Sequence, residues 1–165
     1  MNPKKKYNKK FEKYLHDEFQ PAQIWAASEK GKEYIRNTIP SLDALRAKEN
    51  DVLAAVYEIM INNKSVYIGQ SLRTIRRLYT HAHHIFTDPE TYFGVRKEEL
   101  ESVEFKLSSP PILNEVLRLS AEEALIRKNK PVLQPYHNTP GMRPDACLPR
   151  GKARRDAMLK AGAII

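Results

Sequence analysis

The stretch that decides the fold of this chain begins at residue 52 and reads Val52-Leu53-Ala54-Ala55-Val56-Tyr57-Glu58-Ile59-Met60-Ile61. A run so rich in β-branched and aromatic residues is typical of a strand. Two asparagines and a lysine follow, which is the chemistry of a tight turn, and the chain continues as Ser65-Val66-Tyr67-Ile68-Gly69. Two strand-type runs separated by a turn predict a β-hairpin.

Beyond Gly69 the pattern changes from a strand to a helix. Apolar residues recur three or four positions apart, at Leu72, Ile75, Leu78, Ala82 and Ile85. Because residues at this spacing share one side of a helix, the pattern predicts a helix over residues 72–85 with an apolar face. A second face carries side chains suited to an anionic ligand, namely Arg73, Arg77, His81 and His84.

The chain is strongly basic for its size. Its 165 residues include 28 lysines and arginines against 20 aspartates and glutamates, which gives a formal net charge of +8. Such an excess favours binding to polyanions, because cationic side chains release the counterions that phosphates condense. Hydrophobic residues make up 41% of the chain, which together with its length predicts one globular domain with a single core.

Cysteine content and hydropathy indicate where such a chain works. Cys147 is the one cysteine, which excludes a disulfide framework and a cysteine-rich zinc site. No stretch of the sequence is long and apolar enough to span a membrane, and the lysine-rich start lacks the apolar segment of a secretory signal. We therefore expect a cytoplasmic protein in a reducing compartment, with no membrane partner.

Residues 1–50 predict a helical, basic N-terminal region. Lysines crowd between Lys4 and Lys13, where the outer face of an arm could meet phosphates. A solvated and partly frayed terminus is the alternative for the same residues. The helix that starts there is expected to end at Pro21, because proline cannot continue a helical hydrogen-bond ladder. Two further helices are predicted over residues 28–36 and 40–46.

The second half of the chain predicts one more strand and one or two helices. Residues 86–94 contain proline and glycine and predict a loop. Residues 101–108 alternate polar and apolar side chains, which predicts a half-buried third strand. Apolar residues at helical spacing predict a helix over residues 113–129. Ser120 and Glu123 also form a capping box that would start a second helix within this span, and the sequence leaves both interpretations open.

Together these elements predict an α+β fold, in which a small three-stranded sheet, mixed or antiparallel, is flanked by helices. The core spans residues 51–134. Residues 135–165 form a basic C-terminal extension that is irregular at first, where prolines recur, and helical around residues 152–160.

Short motifs lie at characteristic spacings within the core. Ala55-Val56-Tyr57 belongs to the first strand and Tyr67-Ile68-Gly69 to the second. Arg77 follows Gly69 by eight residues, and His81 lies one helical turn further on. In this order the motifs resemble the signature of the GIY-YIG endonuclease family, with Ala55 in place of the first-motif glycine.

A fifth motif lies far downstream and is similar to the corresponding segment of restriction-type members. Glu122 resembles the metal-binding glutamate of the family. Leu125-Ile126, then Pro131 and finally Gln134 follow it in the order of the family pattern. The family has asparagine where this chain has Gln134, which keeps an amide able to donate and accept.

The resemblance implies a metal-dependent DNA endonuclease that hydrolyses phosphodiester bonds, with residues 51–134 as a GIY-YIG-like nuclease core. The enzyme would be site-specific, either of the restriction type or from a phage or mobile element. Its expected partner is double-stranded DNA in a bacterial or phage-infected cell, and a homodimer is compatible with the pattern. The implied cofactor is Mg²⁺ or Mn²⁺ bound by Glu122, and the implied catalytic residues are Tyr57, Tyr67, Arg77, His81 and Glu122.

Each of these side chains suits one part of the reaction. The Arg77 guanidinium can bind two phosphate oxygens and stays charged, so it suits charge stabilisation on phosphorus. By resemblance Tyr57 is the general base and Tyr67 positions the phosphate, and we expect the two to lie nearly opposite each other on the hairpin. A phenol has an ordinary pKa near ~10, whereas His81, near ~6.5, is the easier proton acceptor. The sequence leaves the choice between Tyr57 and His81 open.

Further side chains are expected to contact DNA, namely Lys64, Arg73, Arg76, Gln134, Arg154 and Arg155. The alternative function is a catalytically silent DNA-binding module of the same fold, which the basic charge and Arg77 would serve equally well. A basic scaffold in which the motifs are coincidental is a third hypothesis. Metal-dependent nicking of plasmid DNA separates the enzyme from the other two.

Overall fold

The computed structural model of the chain describes Lys13, residues 15–48 and residues 53–165. Apart from Lys13, the lysine-rich arm lies outside the described residues, as does the predicted strand start at Val52. So does the predicted boundary between the N-terminal region and the core.

Among the described residues, three strands form one antiparallel sheet. They are β1 (Ala55–Ile61), β2 (Lys64–Ser71) and β3 (Val103–Leu107), in the spatial order β2-β1-β3. Asn62 and Asn63 form the hairpin turn with φ of 51° and 64°, a conformation that asparagine tolerates better than most residues. The predicted hairpin, third strand and α+β fold are confirmed, and the sheet is antiparallel throughout.

Seven α-helices surround the sheet in the part of the chain that the structure describes. They are α1 (Gln20–Ala27), α2 (Glu29–Thr38), α3 (Pro40–Ala47), α4 (Thr74–Thr87), α5 (Pro89–Phe93), α6 (Glu115–Asn129) and α7 (Lys152–Lys160). A π-helical turn over Leu15–Phe19 leads directly into α1. Pro21 therefore does not end a helix as predicted. It occupies the first turn of α1, where its missing N–H is not needed.

The predicted loop over residues 86–94 was wrong, because it contains the short helix α5. The Asp88 side chain accepts a hydrogen bond from the Thr91 N–H at 3.2 Å and caps the start of the helix. Gly94 ends it with a left-handed φ of 67°. Asp88, Pro89 and Gly94 each favour a loop when considered singly. Together they begin and end a helix of one turn.

Helix α4 follows the predicted pattern except at its start. Ile75, Leu78, Ala82 and Ile85 are buried. Leu72 was predicted to belong to this face, but it precedes the helix and is 52% exposed.

Helix α6 is a single helix, so the alternative of a second helix starting at Ser120 was wrong. Asn114 caps it by accepting from the Leu117 N–H at 3.0 Å. The face turned inward is not the predicted apolar one, because the buried residues are Arg118, Glu122 and Ile126.

One hydrophobic core joins distant parts of the chain. It includes Trp25, Ile35 and Leu42 from the first helices together with Met158 and Ile164 from the C-terminal end. These residues pack with the sheet and with α4. A smaller cluster, formed by Val56, Ile68 and Ile126, places α6 on the other face of the hairpin. Helices on both faces therefore hold the hairpin from which the candidate site is built. None of the described helices has the length and apolar character needed to cross a bilayer.

Candidate active site

Three rings from the hairpin and α4 meet beside the sheet. The Tyr57 hydroxyl and His81 Nε2 lie 2.8 Å apart, within hydrogen-bonding distance. The Tyr67 ring centre is 6.1 Å from that of Tyr57 and 5.1 Å from that of His81. The structure thus brings together three of the side chains predicted to be catalytic.

A β-bulge is what places both tyrosines on the same face of the hairpin. Tyr57 pairs with Gly69 and Ile59 pairs with Tyr67, but the register shifts between Ile59 and Met60, with Val66 as the extra residue. Without this shift Tyr57 and Tyr67 would point to opposite faces, because side chains alternate along a strand. We predicted that the two tyrosines lie nearly opposite each other. They are instead diagonal neighbours on the two strands.

Gly69 makes room for the Tyr57 hydroxyl. A Cβ atom at residue 69 would lie 2.5 Å from the Tyr57 hydroxyl oxygen and 2.6 Å from Cζ. Both distances are far below van der Waals contact, so any side chain here would displace the phenol from His81. The glycine of the Tyr67-Ile68-Gly69 motif is therefore required by the approach of the Tyr57 ring across the strand pair.

Burial keeps the Tyr57 and His81 pair uncharged. Burial raises the pKa of Tyr57 well above its ordinary value of 10.0, and the neighbouring Tyr67 adds to this effect while Arg77 opposes it. Burial, followed by the charge of Arg77, lowers the pKa of His81 well below 6.5. A neutral imidazole thus faces a neutral phenol, and the imidazole can accept a proton that the phenol donates.

Two cavities meet at Tyr67 and Arg77, which line both of them. The first, here called the carboxylate cavity, has a volume of about 420 Å³ and is also lined by Tyr57, Glu122 and Asp145. The second, here called the arginine pocket, has a volume of about 180 Å³. Its other lining residues are Glu18, Thr80, His81, His84, Tyr92, Phe93, Leu133, Cys147, Arg150 and Arg154. Tyr57 faces the carboxylate cavity, whereas His81 faces the arginine pocket.

Glu122 reaches the carboxylate cavity from α6. Its side chain is only 6% exposed, and within the described part of the chain no hydrogen bond or ion pair holds its carboxylate. Burial, followed by the nearby charge of Asp145, raises the pKa of Glu122 to about 7, while Arg143 and Arg118 oppose the shift. A carboxylate with no protein partner beside a cavity of about 420 Å³ is suited to a hydrated cation.

Two residues predicted to bind DNA have structural partners instead. Gln134 is fully buried, and its amide accepts from the Ile68 N–H at 2.8 Å and donates to the Ile68 carbonyl at 2.7 Å. It closes the free edge of β2, so the prediction that it contacts DNA was wrong. Arg155 forms a two-pronged ion pair with Glu99 at 2.8 and 2.9 Å and lines neither cavity.

The remaining predicted DNA contacts are scattered. Arg154 lines the arginine pocket. Arg73 is exposed just before α4, and Lys64 is exposed at the hairpin turn, away from both cavities. The Arg76 guanidinium lies 5.7 Å from the centre of the Phe19 ring. Only Arg154 among them lines one of the two cavities.

Several residues that line the two cavities were not predicted from the sequence, among them Arg118, Asp145 and Arg150. Arg118 and Glu122 lie four residues apart on the buried side of α6, and this spacing could have indicated a polar inward face. Asp145 and Arg150 belong to an irregular segment whose path no local pattern predicts. Comparison of the chain with protein-family models, with curated proteins and with solved structures gave no match. The likeness to GIY-YIG endonucleases stays a prediction carried by the residues.

Proposed function

We propose that this chain is a metal-dependent endonuclease that hydrolyses phosphodiester bonds in double-stranded DNA. One observation carries the proposal: the bonded pair of Tyr57 and His81 lies at the wall between the two cavities, with Glu122 in one and Arg77 shared by both. This arrangement offers a proton acceptor, an anchor for phosphate oxygens and a cation ligand within a single cleft.

The Tyr57 and His81 pair can remove a proton from an attacking water without forming a phenolate. In the tautomer with a bare Nε2, the Tyr57 hydroxyl donates to His81. As water in the carboxylate cavity attacks phosphorus, its proton moves to the Tyr57 oxygen while the Tyr57 proton moves to His81 Nε2. The bond from phosphorus to the leaving oxygen breaks, and that oxygen takes a proton from solvent. His81 then releases its extra proton to solvent, which restores the neutral pair. Tyr57 and His81 then act as one base, with Tyr57 in contact with the water.

Arg77 and Tyr67 are suited to hold the phosphate. Arg77 precedes His81 by one turn of α4, so its guanidinium and the imidazole project from the same side of the helix. A guanidinium that contacts two phosphate oxygens stabilises the extra negative charge of the pentacovalent state. The Tyr67 hydroxyl can donate a hydrogen bond to a third phosphate oxygen. It stays protonated, because burial raises the pKa of Tyr67 above 10.0.

The residues present fit a divalent cation with few protein ligands. Within the described residues there is no group of three or more histidine, cysteine or acidic side chains that could hold a metal. Mg²⁺ commonly keeps several waters and takes one or two carboxylates plus substrate oxygens. Glu122 is the ligand we propose, and Asp145 lines the same cavity. When bound there, Mg²⁺ or Mn²⁺ would stabilise charge on the leaving oxygen and the phosphate.

The basic charge of the chain supports nucleic acid as the substrate. We propose a site-specific enzyme, of the restriction type or from a phage or mobile element, that acts in the cytoplasm of a bacterial or phage-infected cell. A catalytically silent module would bind DNA equally well but would not use a neutral proton acceptor beside a free carboxylate.

The deciding experiment compares two neighbouring glutamates in a plasmid-nicking assay with Mg²⁺. Glu122→Gln removes the charge of the proposed ligand and should lower the nicking rate on the order of a hundredfold or more, with DNA affinity kept or raised. Glu123→Gln is the matched control, because Glu123 is half exposed and paired with Arg127 at 2.7 Å. It should leave the rate unchanged.

Equal nicking rates in the two variants would show that Glu122 is not the metal ligand. Absence of nicking by the unmodified protein with both Mg²⁺ and Mn²⁺, despite tight DNA binding, would favour the silent module.

A further inference from the structure

The arginine pocket holds more positive charge than the proposed reaction uses. Arg77, Arg150 and Arg154 line it, and Glu18 is the one acidic lining residue within the described part of the chain. Its volume of about 180 Å³ corresponds to on the order of six waters at liquid density. A concave surface with such a charge excess attracts small anionic groups more strongly than an open surface does.

Local contacts hold two of the three arginines of this pocket in place. Arg154 donates to the Leu148 carbonyl at 2.9 Å and to the Tyr92 carbonyl at 2.5 Å. The Arg150 guanidinium lies over the Tyr92 ring, 4.5 Å from its centre. Because the side chains are ordered before any ligand arrives, binding an anion loses little of their conformational entropy.

The pKa values of two residues that line the pocket reflect its burial and its positive charge. The rings of His84 and Tyr92 stack with their centres 3.7 Å apart. Burial, followed by the charge of Arg150, lowers the pKa of His84 to about 3. Burial also lowers the pKa of Arg154. Burial is the largest cause of both shifts, and the charge of Arg150 adds to both, so a further positive charge is disfavoured in this pocket.

Glu18 occupies the position beside Arg150 that an anionic ligand would take. Its carboxylate is 3.5 Å from the Arg150 guanidinium, and the two side chains are 30% and 50% exposed. An ion pair this open contributes little stability. Glu18 is thus an exchangeable partner for Arg150 at the edge of the pocket.

We propose that the arginine pocket binds an internal phosphate of the DNA strand, next to the phosphate that is cut, and that Glu18 competes with it for Arg150. The inference rests on the proposed function, since Arg77 and Tyr67 join this pocket to the carboxylate cavity. His84 and Arg150 already cover the Tyr92 ring, so this ring offers no free face on which a base could stack. The groups left to meet a ligand are the arginine side chains. The pocket therefore suits a phosphate and not a base.

Binding to a covalently closed DNA dumbbell tests the proposal, because this ligand has no terminal phosphate. Affinity is measured by fluorescence anisotropy in chelator over a range of salt. Glu18→Gln should raise affinity on the order of fivefold, because the competing carboxylate is gone. Arg150→Gln should lower affinity and reduce the slope of log affinity against log salt by about one.

A second ion pair provides the matched controls. Arg127 and Glu123 form a pair at 2.7 Å on α6, outside both cavities. Glu123→Gln and Arg127→Gln make the same charge changes and should leave affinity and salt slope nearly unchanged.

Equal effects at both pairs would overturn the proposal, because they would reflect net charge alone. Effects seen with linear DNA and lost with the dumbbell would also overturn it, by assigning the pocket to a terminal phosphate. Cleavage is assayed separately with Mg²⁺. Pocket effects without nicking would contradict the proposed function only, whereas nicking without pocket effects would contradict this inference only.

Discussion

Helices α4 and α6 both supply side chains to the candidate site, yet they are held in opposite ways. On α4 the apolar residues are buried, and Arg77 and His81 project from an adjoining side. On α6 the buried residues are mainly charged, while Val116 is 71% and Leu117 is 61% exposed. The first helix owes its position to the hydrophobic core. The second combines the small apolar cluster around Ile126 with polar contacts made by Arg118.

Arg118 shows how polar contacts orient α6. Its guanidinium donates to the Gln70 side chain at 2.6 Å and to the carbonyls of Ile112 and Leu113 at 3.0 and 3.2 Å. Glu122 lies one turn further on and is thereby directed toward the carboxylate cavity. The comparison teaches that the demands of a site, rather than burial of apolar surface, can decide which face of a helix points inward.

The sharpest test of the comparison removes one charged group from each helix. Arg77→Ala should lower the nicking rate on the order of a thousandfold, about 4 kcal/mol, because the pentacovalent phosphate loses its main cationic partner. If Arg77 on α4 and Glu122 on α6 act as one unit, the double variant with Glu122→Gln should be little slower than either single variant. Single-turnover rates measure this. A multiplicative loss would show that the two helices contribute independently.

A smaller effect concerns stability and compares a leucine from each helix. Leu78→Ala should lower the free energy of unfolding by about 2–5 kcal/mol, because Leu78 is fully buried and its loss leaves a cavity. Leu117→Ala should change it by less than about 0.5 kcal/mol, since that side chain is 61% exposed. Urea titrations give both values. A large loss at Leu117 would mean that something covers the outer face of α6 in solution.

The pH dependence of stability should reveal the cost of burying Glu122. Its pKa is raised to about 7 from 4.5, so its contribution to stability is fully present below about pH 4.5 and is lost as the pH rises through about 7. Glu122→Gln carries no charge at any pH. It should therefore be more stable than the unmodified protein at about pH 8, on the order of 1–2 kcal/mol after allowance for water in the cavity.

Thermal unfolding at two pH values checks this prediction. The melting temperatures of the unmodified protein and of Glu122→Gln should converge at about pH 4 and separate at about pH 8. Glu123→Gln should show no such separation. A pH-independent difference would contradict the assigned shift.

The smallest expected effect compares the helix starts. Asn114 caps α6 through the Leu117 N–H at 3.0 Å, whereas Arg73 at the start of α4 makes no side-chain cap. Asn114→Ala should cost about 1 kcal/mol of stability. Arg73→Ala should cost almost nothing. Both follow from chemical denaturation, and equal costs would mean that the cap does not contribute to α6.

Local patterns predicted those parts of the molecule that local forces decide. The turn at Asn62 and Asn63, the buried side of α4 and the alternation of β3 were all evident in the sequence. The bulge at Val66 was not, because a register shift depends on how two strands and a face are matched. The inward side of α6 was not either, because Arg118 finds its acceptors only in the folded chain.

Gln134 illustrates the same limit at the candidate site. Its amide was interpreted from the resemblance as a group facing DNA, but its contacts with Ile68 complete the hydrogen bonding of a sheet edge. The backbone N–H groups of Val132 and Leu133 bond to Ser65 and Val66 along the same edge at 3.0 Å. The sequence shows that residue 134 carries an amide, but it does not show that this amide covers the edge of β2.

Trp25 gives the protein an optical reporter of its own. It is the one tryptophan of the chain, and its ring lies 5.1 Å from Phe86 and 5.3 Å from His83, both on α4. Indole emission therefore arises from a single, largely buried position where α1 meets the helix that carries Arg77 and His81. Detachment of the first helices from α4 would shift this emission to longer wavelength, and it would do so without any attached dye.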